Sequence, residues 1–510
     1  MRFLILLLAS YSWAQSTATQ PPAKKKTPAT PKELGAELVN SAFDTAGSAS
    51  AGAQPYLLWR IADVLAAIDS RKALDALNQA FADAAILGEN SASLQSMVAR
   101  SAAELDLPRT VEMLRTITVP YGSYDPRESA IGQVVGQRIA KNQINAAVDL
   151  LNLLGGNGPY PYAAVGSILA AVPNEDDPRR LLAFGGALTG YQAHPGEGFG
   201  RLLTNYWEKL PRPIVTHALD VIVETVTSYK DEDSHVSITY IGAKGQATLS
   251  TDRDAQLFQI LVPLQACEPE KVKDLFDKYP DFKTAAQLFP NGNNWKDITG
   301  MSMSMKSGST NAAPNPASDF AANSRLVSQA VETASKDLPA GIDLAKNIQN
   351  PEYRGEALRQ IAAARADSNP STAHDLLEKA VAAFVATPDG RSLDGSSQYL
   401  LTAFGTARKL KDDDLAREIV DRTLDLAARL YKVDSDSDDP NLAPVDFWPS
   451  LHIYREAMRS AVILEQMKAP ARLQTIRNTD VFLFCQVAMA AALLDRYQDY
   501  STSVQHAAKN

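Results

Sequence analysis

Two twelve-residue segments of this chain share one pattern. DLPRTVEMLRTI occupies residues 106–117, and DLPAGIDLAKNI occupies residues 337–348, 231 positions later. In both segments apolar residues recur at i, i+4, i+7 and i+10, which is the spacing of one helix face. These residues are Leu107, Val111, Leu114 and Ile117 in the first segment and Leu338, Ile342, Ala345 and Ile348 in the second. The Asp-Leu-Pro start predicts a helix N-terminus, because Asp can cap a helix and proline is tolerated in its first turn.

The similarity continues beyond the two segments. The stretch RESAIGQV, which starts at Arg127, matches the stretch RGEALRQI, which starts at Arg354. Asp-Leu-Leu follows both stretches, at Asp149 and at Asp375. A related pattern links residues 58–80 with residues 358–380. We interpret the repeating unit as a helical hairpin with alanines at the helix contacts. One hairpin cannot bury its apolar face, whereas a stack of hairpins can.

This pattern resembles an α-solenoid of the tetratricopeptide (TPR) or HEAT type over residues 54–230 and 318–495, although the tetratricopeptide W-x-x-L-G-x-x-Y signature is missing. The chain is also similar to uncharacterised secreted helical-repeat proteins of bacteria, a likeness that carries no function over. The resemblance implies an all-α solenoid of stacked helical hairpins, with an extended surface that suits protein or peptide partners.

The N-terminus predicts export from the cytoplasm. Arg2 precedes a short apolar run, and small residues at Ser12 and Ala14 predict a signal peptide at residues 1–14, cleaved near Ala14. Residues 15–33 are rich in proline and lysine and predict a disordered linker. The expected location is therefore secreted or periplasmic, and no later apolar run is long enough to span a membrane.

Two segments interrupt the helical pattern. Residues 234–250 alternate in polarity around a turn and predict a β-hairpin, which either packs on the solenoid or offers an edge for strand addition. Residues 290–318 predict a low-complexity flexible loop. We expect this loop to separate an N-terminal helical array at 34–289 from a C-terminal array at 319–510.

Composition narrows the function classes. The formal net charge of −9 and a pI near 5.3 argue against general nucleic-acid binding. The two cysteines, Cys267 and Cys485, could form one disulfide, but both lie in apolar helical patterns that favour buried free thiols. The oligomeric state cannot be inferred from the sequence.

Two short motifs suggest metal binding. Met301, Met303 and Met305 have an M-x-M-x-M spacing whose soft sulfur atoms suit Cu(I). The ordinary interpretation of this run is a flexible methionine-rich linker, and no His or Cys lies nearby in the sequence. Asp434, Asp436 and Asp438 resemble the opening of a calcium loop. The calcium loop would need Gly and Glu where Asp439 and Val445 stand, so a solvated acidic loop is the alternative reading.

No catalytic motif is recognisable in the sequence. The six histidines are scattered without a metalloprotease spacing, and His217 and His374 fall within helical patterns as ordinary surface or satisfied residues. Arg127 and Arg354 share one place in the repeat and favour a structural role over anion binding. The tyrosines 121, 124, 160 and 162, and the aromatic residues Phe447, Trp448 and Tyr454, either pack at helix ends or form a stacking surface.

Three functions remain open from the sequence. The first is a secreted or periplasmic scaffold that binds a protein or peptide, with no cofactor. The second is a polysaccharide-active enzyme of helical toroid type, which would need two facing carboxylates in a cleft. The third is a metal-binding envelope protein that uses the methionine run or the aspartate run.

Overall fold

A computed structural model describes residues 30–119, 125–153, 160–174, 176–229, 236–293, 297–305, 317–436 and 448–495. The expected signal peptide lies outside these ranges, as does most of the expected linker. The helices before the sheet are α1 (Pro31–Thr45), α2 (Gln54–Leu65), α3 (Ser70–Asp83), α4 (Ser91–Ala102), α5 (Leu107–Thr116), α6 (Arg127–Ala140), α7 (Ile144–Leu151), α8 (Tyr162–Ala171), α9 (Pro178–Ala193), α10 (Glu197–Tyr206) and α11 (Arg212–Thr227).

The strands are β1 (Val236–Gly242), β2 (Gly245–Leu249) and β3 (Ile298–Met305). The helices between β2 and β3 are α12 (Asp252–Gln259), α13 (Leu261–Cys267), α14 (Pro269–Lys278) and α15 (Pro280–Leu288). The helices after β3 are α16 (Ala317–Lys336), α17 (Leu338–Lys346), α18 (Pro351–Arg365), α19 (Pro370–Val385), α20 (Ser392–Lys409), α21 (Asp413–Ser435), α22 (Pro449–Glu465) and α23 (Thr479–Leu493). None of the helices within the described ranges is long and apolar enough to cross a membrane.

Consecutive helices pack as antiparallel hairpins, and the hairpins stack in two layers. Helix α2 packs on α3, α6 on α7, α18 on α19 and α20 on α21. Every second helix then contacts the next one of its own layer, along α4, α6, α8, α10 and α12 and again along α16, α18, α20 and α22. The prediction of an all-α solenoid with a small β insertion is confirmed.

The twin segments form α5 and α17 as predicted. The carboxylates of Asp106 and Asp337 accept hydrogen bonds from the backbone N–H groups of Arg109 and Ala340, so both helices begin with an aspartate cap. Arg127 and Arg354, which occupy equivalent places in the two copies, each bond to the end of the preceding helix.

Arg127 Nη1 donates to the carbonyl of Ile117 over 3.4 Å, and Arg354 Nη1 donates to the carbonyl of Ile348 over 3.1 Å. Ile117 and Ile348 are the last residues of the two segments, so each arginine satisfies a carbonyl at the C-terminal end of the preceding helix. The structural reading of these arginines is thereby confirmed.

The first and last described helices pack on each other. Helix α1 lies against α23, where Gln486 Nε2 donates to the carbonyl of Leu38 over 2.9 Å and Asp480 accepts from the N–H and hydroxyl of Ser50. Gly35 makes this approach close, since a Cβ there would lie 3.1 Å from the carbonyl oxygen of Ala490. The stack therefore runs in space from α16 through α23 to α1 and on to the sheet.

This order requires the stack to curve. Eleven successive helix contacts lead from α16 through α23 and α1 to α12, beside the sheet, and at 8–10 Å per contact they trace a path of roughly 100 Å. Yet β3 ends at residue 305 and α16 begins at residue 317, so the chain between them spans at most about 43 Å. The stack must bend back to bring its two ends within this reach.

The β insertion is a three-stranded antiparallel sheet with the order β2-β1-β3. The predicted hairpin is confirmed as β1 and β2. Tyr240 of β1 packs on Phe258 of α12, with 5.1 Å between ring centroids, and on Phe289, which follows α15. One face of the sheet is therefore fixed to the helical stack.

Two expected segment boundaries need correction. The flexible loop at 290–318 is wrong over Ile298–Met305, which forms β3, and α16 already begins at Ala317. The methionine–serine alternation has the period of two that places methionines on one strand face. Helix α1 begins at Pro31, inside the expected linker at 15–33, because Thr30 and Glu33 form a capping box.

Candidate binding groove beside the sheet

A groove of about 710 Å³ lies where the sheet meets helices α10, α12 and α13. Its lining residues come from four parts of the fold. They are Arg201, Thr204 and Asn205 of α10; Ala255, Gln256, Gln259 and Val262 of α12 and α13; Asn291 and Asn293 after α15; and Ile238, Tyr240, Met301 and Met303 of the sheet. Amide side chains are the most frequent polar groups in this lining.

Two contacts between α10 and α12 fix the helical wall of the groove. The hydroxyl of Thr204 donates to the carbonyl of Gln259 over 2.8 Å and ties α10 to α12. Gly200 permits this close approach, since a Cβ there would lie 2.8 Å from Oε1 of Gln259. Gln256 and Gln259 are buried residues that line the groove. Buried amides require hydrogen-bond partners, and each amide offers both a donor and an acceptor.

The groove carries one positive charge. Arg201 is exposed and has no ion-pair partner among the described residues. No aspartate or glutamate is among the described lining residues. The groove is thus positive within a chain whose formal net charge is −9.

The sheet wall of the groove is the outer strand β3. Met301 and Met303 are 45% and 54% exposed. They pair with Tyr240 and Ile238 of the neighbouring strand β1 and lie on the same sheet face as these two residues. Within the described part of the chain, β3 pairs with β1 alone, so its other edge has backbone groups without a strand partner.

These positions bear on the copper hypothesis. Residues two apart on a strand lie about 6.7 Å apart along its axis, so Met301 and Met303 form a strand face rather than a coordinating loop. Met305 ends the strand. Copper binding by Met301, Met303 and Met305 stays a prediction, and the structure offers a second explanation for their spacing.

The calcium hypothesis meets a competing role for Asp434. This residue is fully buried near the end of α21, where its Oδ1 accepts from Nη1 of Arg391 over 2.8 Å and its Oδ2 accepts from the N–H of Ser450 over 3.1 Å. Both carboxylate oxygens therefore already bind the protein. Asp436 is the exposed C-cap of α21, and Asp438 lies outside the described residues. The calcium site stays a prediction.

Away from the groove, the neighbouring carboxyl groups of Glu352 and Asp394 both have raised pKa values. Glu352 lies in the first turn of α18 and Asp394 lies in the first turn of α20. Burial raises the pKa of Glu352, and the nearby carboxylate of Asp394 raises it further. Burial also raises the pKa of Asp394, and its Oδ1 has no hydrogen-bond partner. A Cβ at Gly395 would lie 1.9 Å from Oε1 of Glu352, so this carboxylate rests against the α20 backbone.

The described aromatic residues pack at helix ends. Tyr160 is buried against Gly190, and Tyr162 packs on Phe199 with 6.0 Å between centroids. Trp448 makes an edge contact with Tyr431 at 5.6 Å, and Tyr454 is buried. The packing interpretation is confirmed for these residues, whereas positions 121, 124 and 447 lie outside the described ranges.

Sequence reasoning missed most of the groove. Its amide residues come from segments far apart in the chain, and none of them belongs to a recognisable motif. The one available signal was the alternation of Met301, Ser302, Met303 and Ser304, which has the period of a strand with one apolar face.

Comparison with known proteins gives little guidance. No protein-family model and no curated protein matches this sequence. Among solved structures, the chain is similar to a circular tandem repeat protein with novel repeat topology and enhanced subunit contact surfaces. The sequence identity is 13%, the match covers 94% of this chain and 98% of the other, and the TM-score is 0.17. A TM-score this low supports no inference about architecture or function.

Proposed function

We propose that this protein is a helical-repeat scaffold that binds an extended segment of a protein partner in the groove beside β3. One observation carries the proposal: an outer strand without a second neighbour among the described residues lines a groove rich in amides. An extended segment can add to such a strand through backbone hydrogen bonds, while pockets beside the strand select its side chains.

The chemistry of the lining supports a peptide as the ligand. Asn205 and Gln259 can each donate to a carbonyl and accept from an N–H, which are the two groups that a peptide backbone presents. Gln256 also lines the groove, and its side chain hydrogen-bonds to Tyr229. Met301 and Met303 add flexible apolar surface that adapts to different side chains. Backbone recognition with adaptable side-chain contacts suits a protein segment.

The charge of the lining supports a partner segment with a carboxylate. Arg201 is the only charged residue among the described lining residues, and it has no described ion-pair partner. A guanidinium pairs with a carboxylate through two parallel hydrogen bonds. We therefore expect the bound segment to contain Asp, Glu or a free C-terminus near Arg201.

The alternative of a polysaccharide-active enzyme has less support at this groove. Glycoside hydrolysis uses two carboxyl groups on either side of the scissile bond. The described lining contains no carboxyl group, and Glu352 and Asp394 lie on α18 and α20, which do not line the groove.

We also propose that the scaffold acts outside the cytoplasm, in the periplasm or after secretion. The support is the N-terminal sequence, in which Arg2 precedes an apolar run that ends near Ala14. Fractionation of the native host, with detection of the mature N-terminus by mass spectrometry, tests this location.

Site-specific photo-crosslinking tests the binding site. A photoreactive amino acid replaces Met303 in the groove, and in a matched control it replaces Leu182, which is 61% exposed on α9 outside the groove. Both full-length proteins are expressed in the native host and irradiated. We expect a discrete crosslinked protein from position 303, whose crosslinked peptide is extended and contains an acidic group. The same products from both positions would contradict the proposal.

A charge substitution in the groove provides a second test of the binding site. Asn205→Asp keeps the size of the side chain but adds a negative charge beside Arg201, so it should weaken capture of the crosslinked partner. Gln79→Glu adds the same charge at an exposed site on α3 and should leave capture unchanged. Equal capture by both variants would place the partner elsewhere on the protein.

A further inference from the structure

A second cluster of chemically capable side chains lies between α19 and α21, on elements that do not line the groove. His374, Asp375 and Glu378 belong to the first three turns of α19, and Asp412 is the N-cap residue of α21. One nitrogen of His374 and one carboxylate oxygen each of Asp375 and Glu378 all lie within 4.8 Å of one another.

Asp412 fixes the orientation of the imidazole. Its Oδ1 accepts from the N–H of Leu415 over 2.9 Å and so caps α21, while its Oδ2 lies 2.8 Å from Nε2 of His374. An ionised carboxylate only accepts hydrogen bonds, so Nε2 carries the proton in this pair. The neutral imidazole then has its lone pair on Nδ1.

That lone pair faces two more acceptors. Nδ1 lies 3.9 Å from Oδ1 of Asp375 and 3.8 Å from Oε2 of Glu378. Among the described residues, no lysine or arginine pairs with either carboxylate. Three electron-pair donors therefore converge on one point, where a single metal ion can accept all three.

We propose that His374, Asp375 and Glu378 bind a divalent transition-metal ion of the Zn²⁺ type, with Asp412 orienting the histidine. Zn²⁺ bonds to imidazole nitrogen and carboxylate oxygen at about 2.0–2.2 Å, so the three ligand atoms, which lie within 4.8 Å of one another, would each approach a common ion to that distance. Ca²⁺ and Mg²⁺ prefer ligand sets made only of oxygen. A carboxylate that accepts from the second imidazole nitrogen is the usual support of a metal-binding histidine.

The site has an open coordination position and links two hairpins. Three protein ligands leave a fourth tetrahedral position for water. All three side chains are at least partly exposed, with relative exposures of 37%, 65% and 56%, so an ion can reach them from solvent. Because Asp412 caps α21 and orients the ligand of α19, the bound ion should also stabilise the contact between these helices.

Calorimetric titration of the full chain with ZnCl₂ tests the proposal, with thermal unfolding as a second readout. We expect saturable Zn²⁺ binding and a raised Tm, and neither effect with MgCl₂ or CaCl₂ at the same concentration. His374→Ala and Glu378→Gln should each abolish the rise in Tm. His217→Ala removes an exposed histidine of α11 and should leave it intact.

Asp412→Asn separates metal binding from helix capping. Asparagine still caps α21 but lacks the charged acceptor for His374, so Zn²⁺ affinity should fall about 10-fold or more while unfolding without metal stays similar. The proposal is overturned if the native chain shows no Zn²⁺-dependent rise in Tm. Zn²⁺ binding that persists in His374→Ala would overturn it equally.

Discussion

The guanidinium of Arg138 donates a hydrogen bond from Nη2 to the carbonyl oxygen of Ala103 over 2.6 Å. The second copy of the repeat contains the same bond, since Nη2 of Arg365 donates to the carbonyl of Ala334 over 2.8 Å. Each arginine lies eleven residues after Arg127 or Arg354, and each alanine lies three residues before a capping aspartate. The duplication therefore preserves hydrogen bonds between hairpins as well as helix faces.

Loss of these arginines should destabilise the stack. Arg138→Met and Arg365→Met each leave a carbonyl without its charged donor, so we expect the free energy of unfolding to fall by about 1.5–3 kcal/mol in urea titrations. The loss should be larger at Arg138, which is more buried. Arg115→Met removes an exposed arginine of α5 and should change stability by less than about 0.5 kcal/mol. Equal losses in all three variants would refute this role.

The contact between α1 and α23 should be sensitive to one added methyl group. In Gly35→Ala the new Cβ would lie 2.8 Å from Cγ of Leu494 and 3.1 Å from the carbonyl oxygen of Ala490. Such overpacking typically costs 1–3 kcal/mol, so thermal unfolding should shift to lower temperature by an amount consistent with about that loss.

Gly136→Ala is the matched control for this prediction. Gly136 lies inside α6, and a Cβ there has no neighbour within 4 Å. Helix propensity alone then applies, and alanine should raise stability by up to about 1 kcal/mol. If Gly35→Ala behaved like Gly136→Ala, the first and last helices would not be in contact in solution.

Much of the helical architecture could be predicted because its signals are local. The Asp-Leu-Pro caps at Asp106 and Asp337 and the apolar faces of the twin segments depend on residues within three turns of each other. The hairpin of β1 and β2 was predicted for the same reason, because both strands and their turn are adjacent in sequence.

The remaining features depend on contacts between distant residues. β3 pairs with β1 across about sixty residues, and α23 packs on α1 across more than four hundred, so no local pattern indicates either partner. The spacing of Met301 and Met303 suits both a flexible copper ligand and a strand face. Pairing with Ile238 and Tyr240 places both methionines on a strand, and this information is absent from the segment itself.

Stability near Glu352 should depend on pH. Burial raises the pKa of Glu352, so the folded state keeps the proton at pH values where the unfolded chain has lost it. The folded state then binds more protons, and stability falls as pH rises from the ordinary glutamate pKa through the raised one. Glu352→Gln should therefore be more stable than the native chain at neutral pH and lose this advantage in acid. Urea titrations at several pH values measure the difference.

Glu332→Gln provides a control of opposite sign. A hydrogen bond from Lys336 lowers the pKa of Glu332, so its ionised form is favoured in the folded state. Replacing it should give no gain in stability at neutral pH. A gain of equal size in both variants would point to a general effect of lower negative charge rather than to the buried environment of Glu352.

The two cysteines should react as free thiols of different accessibility. Cys485 is fully buried in α23 and Cys267 is half-buried at the end of α13, and burial raises the pKa of both thiols. Iodoacetamide should therefore label Cys267 slowly and Cys485 only after unfolding, as measured by mass spectrometry. Full labelling of both residues in urea without a reductant would agree with free thiols, and labelling of neither would show a disulfide.

Arg201→Gln should weaken partner binding in a salt-dependent way. The substitution removes the only charge among the described lining residues of the groove but keeps a polar side chain. If Arg201 pairs with a carboxylate of the bound segment, the native affinity should fall as salt rises, and this dependence should be smaller in the variant. Fluorescence anisotropy with the peptide identified by crosslinking at position 303 measures both effects. Arg115→Gln removes an exposed charge outside the groove and should bind like the native chain. An unchanged salt dependence in Arg201→Gln would show that the partner does not use this charge.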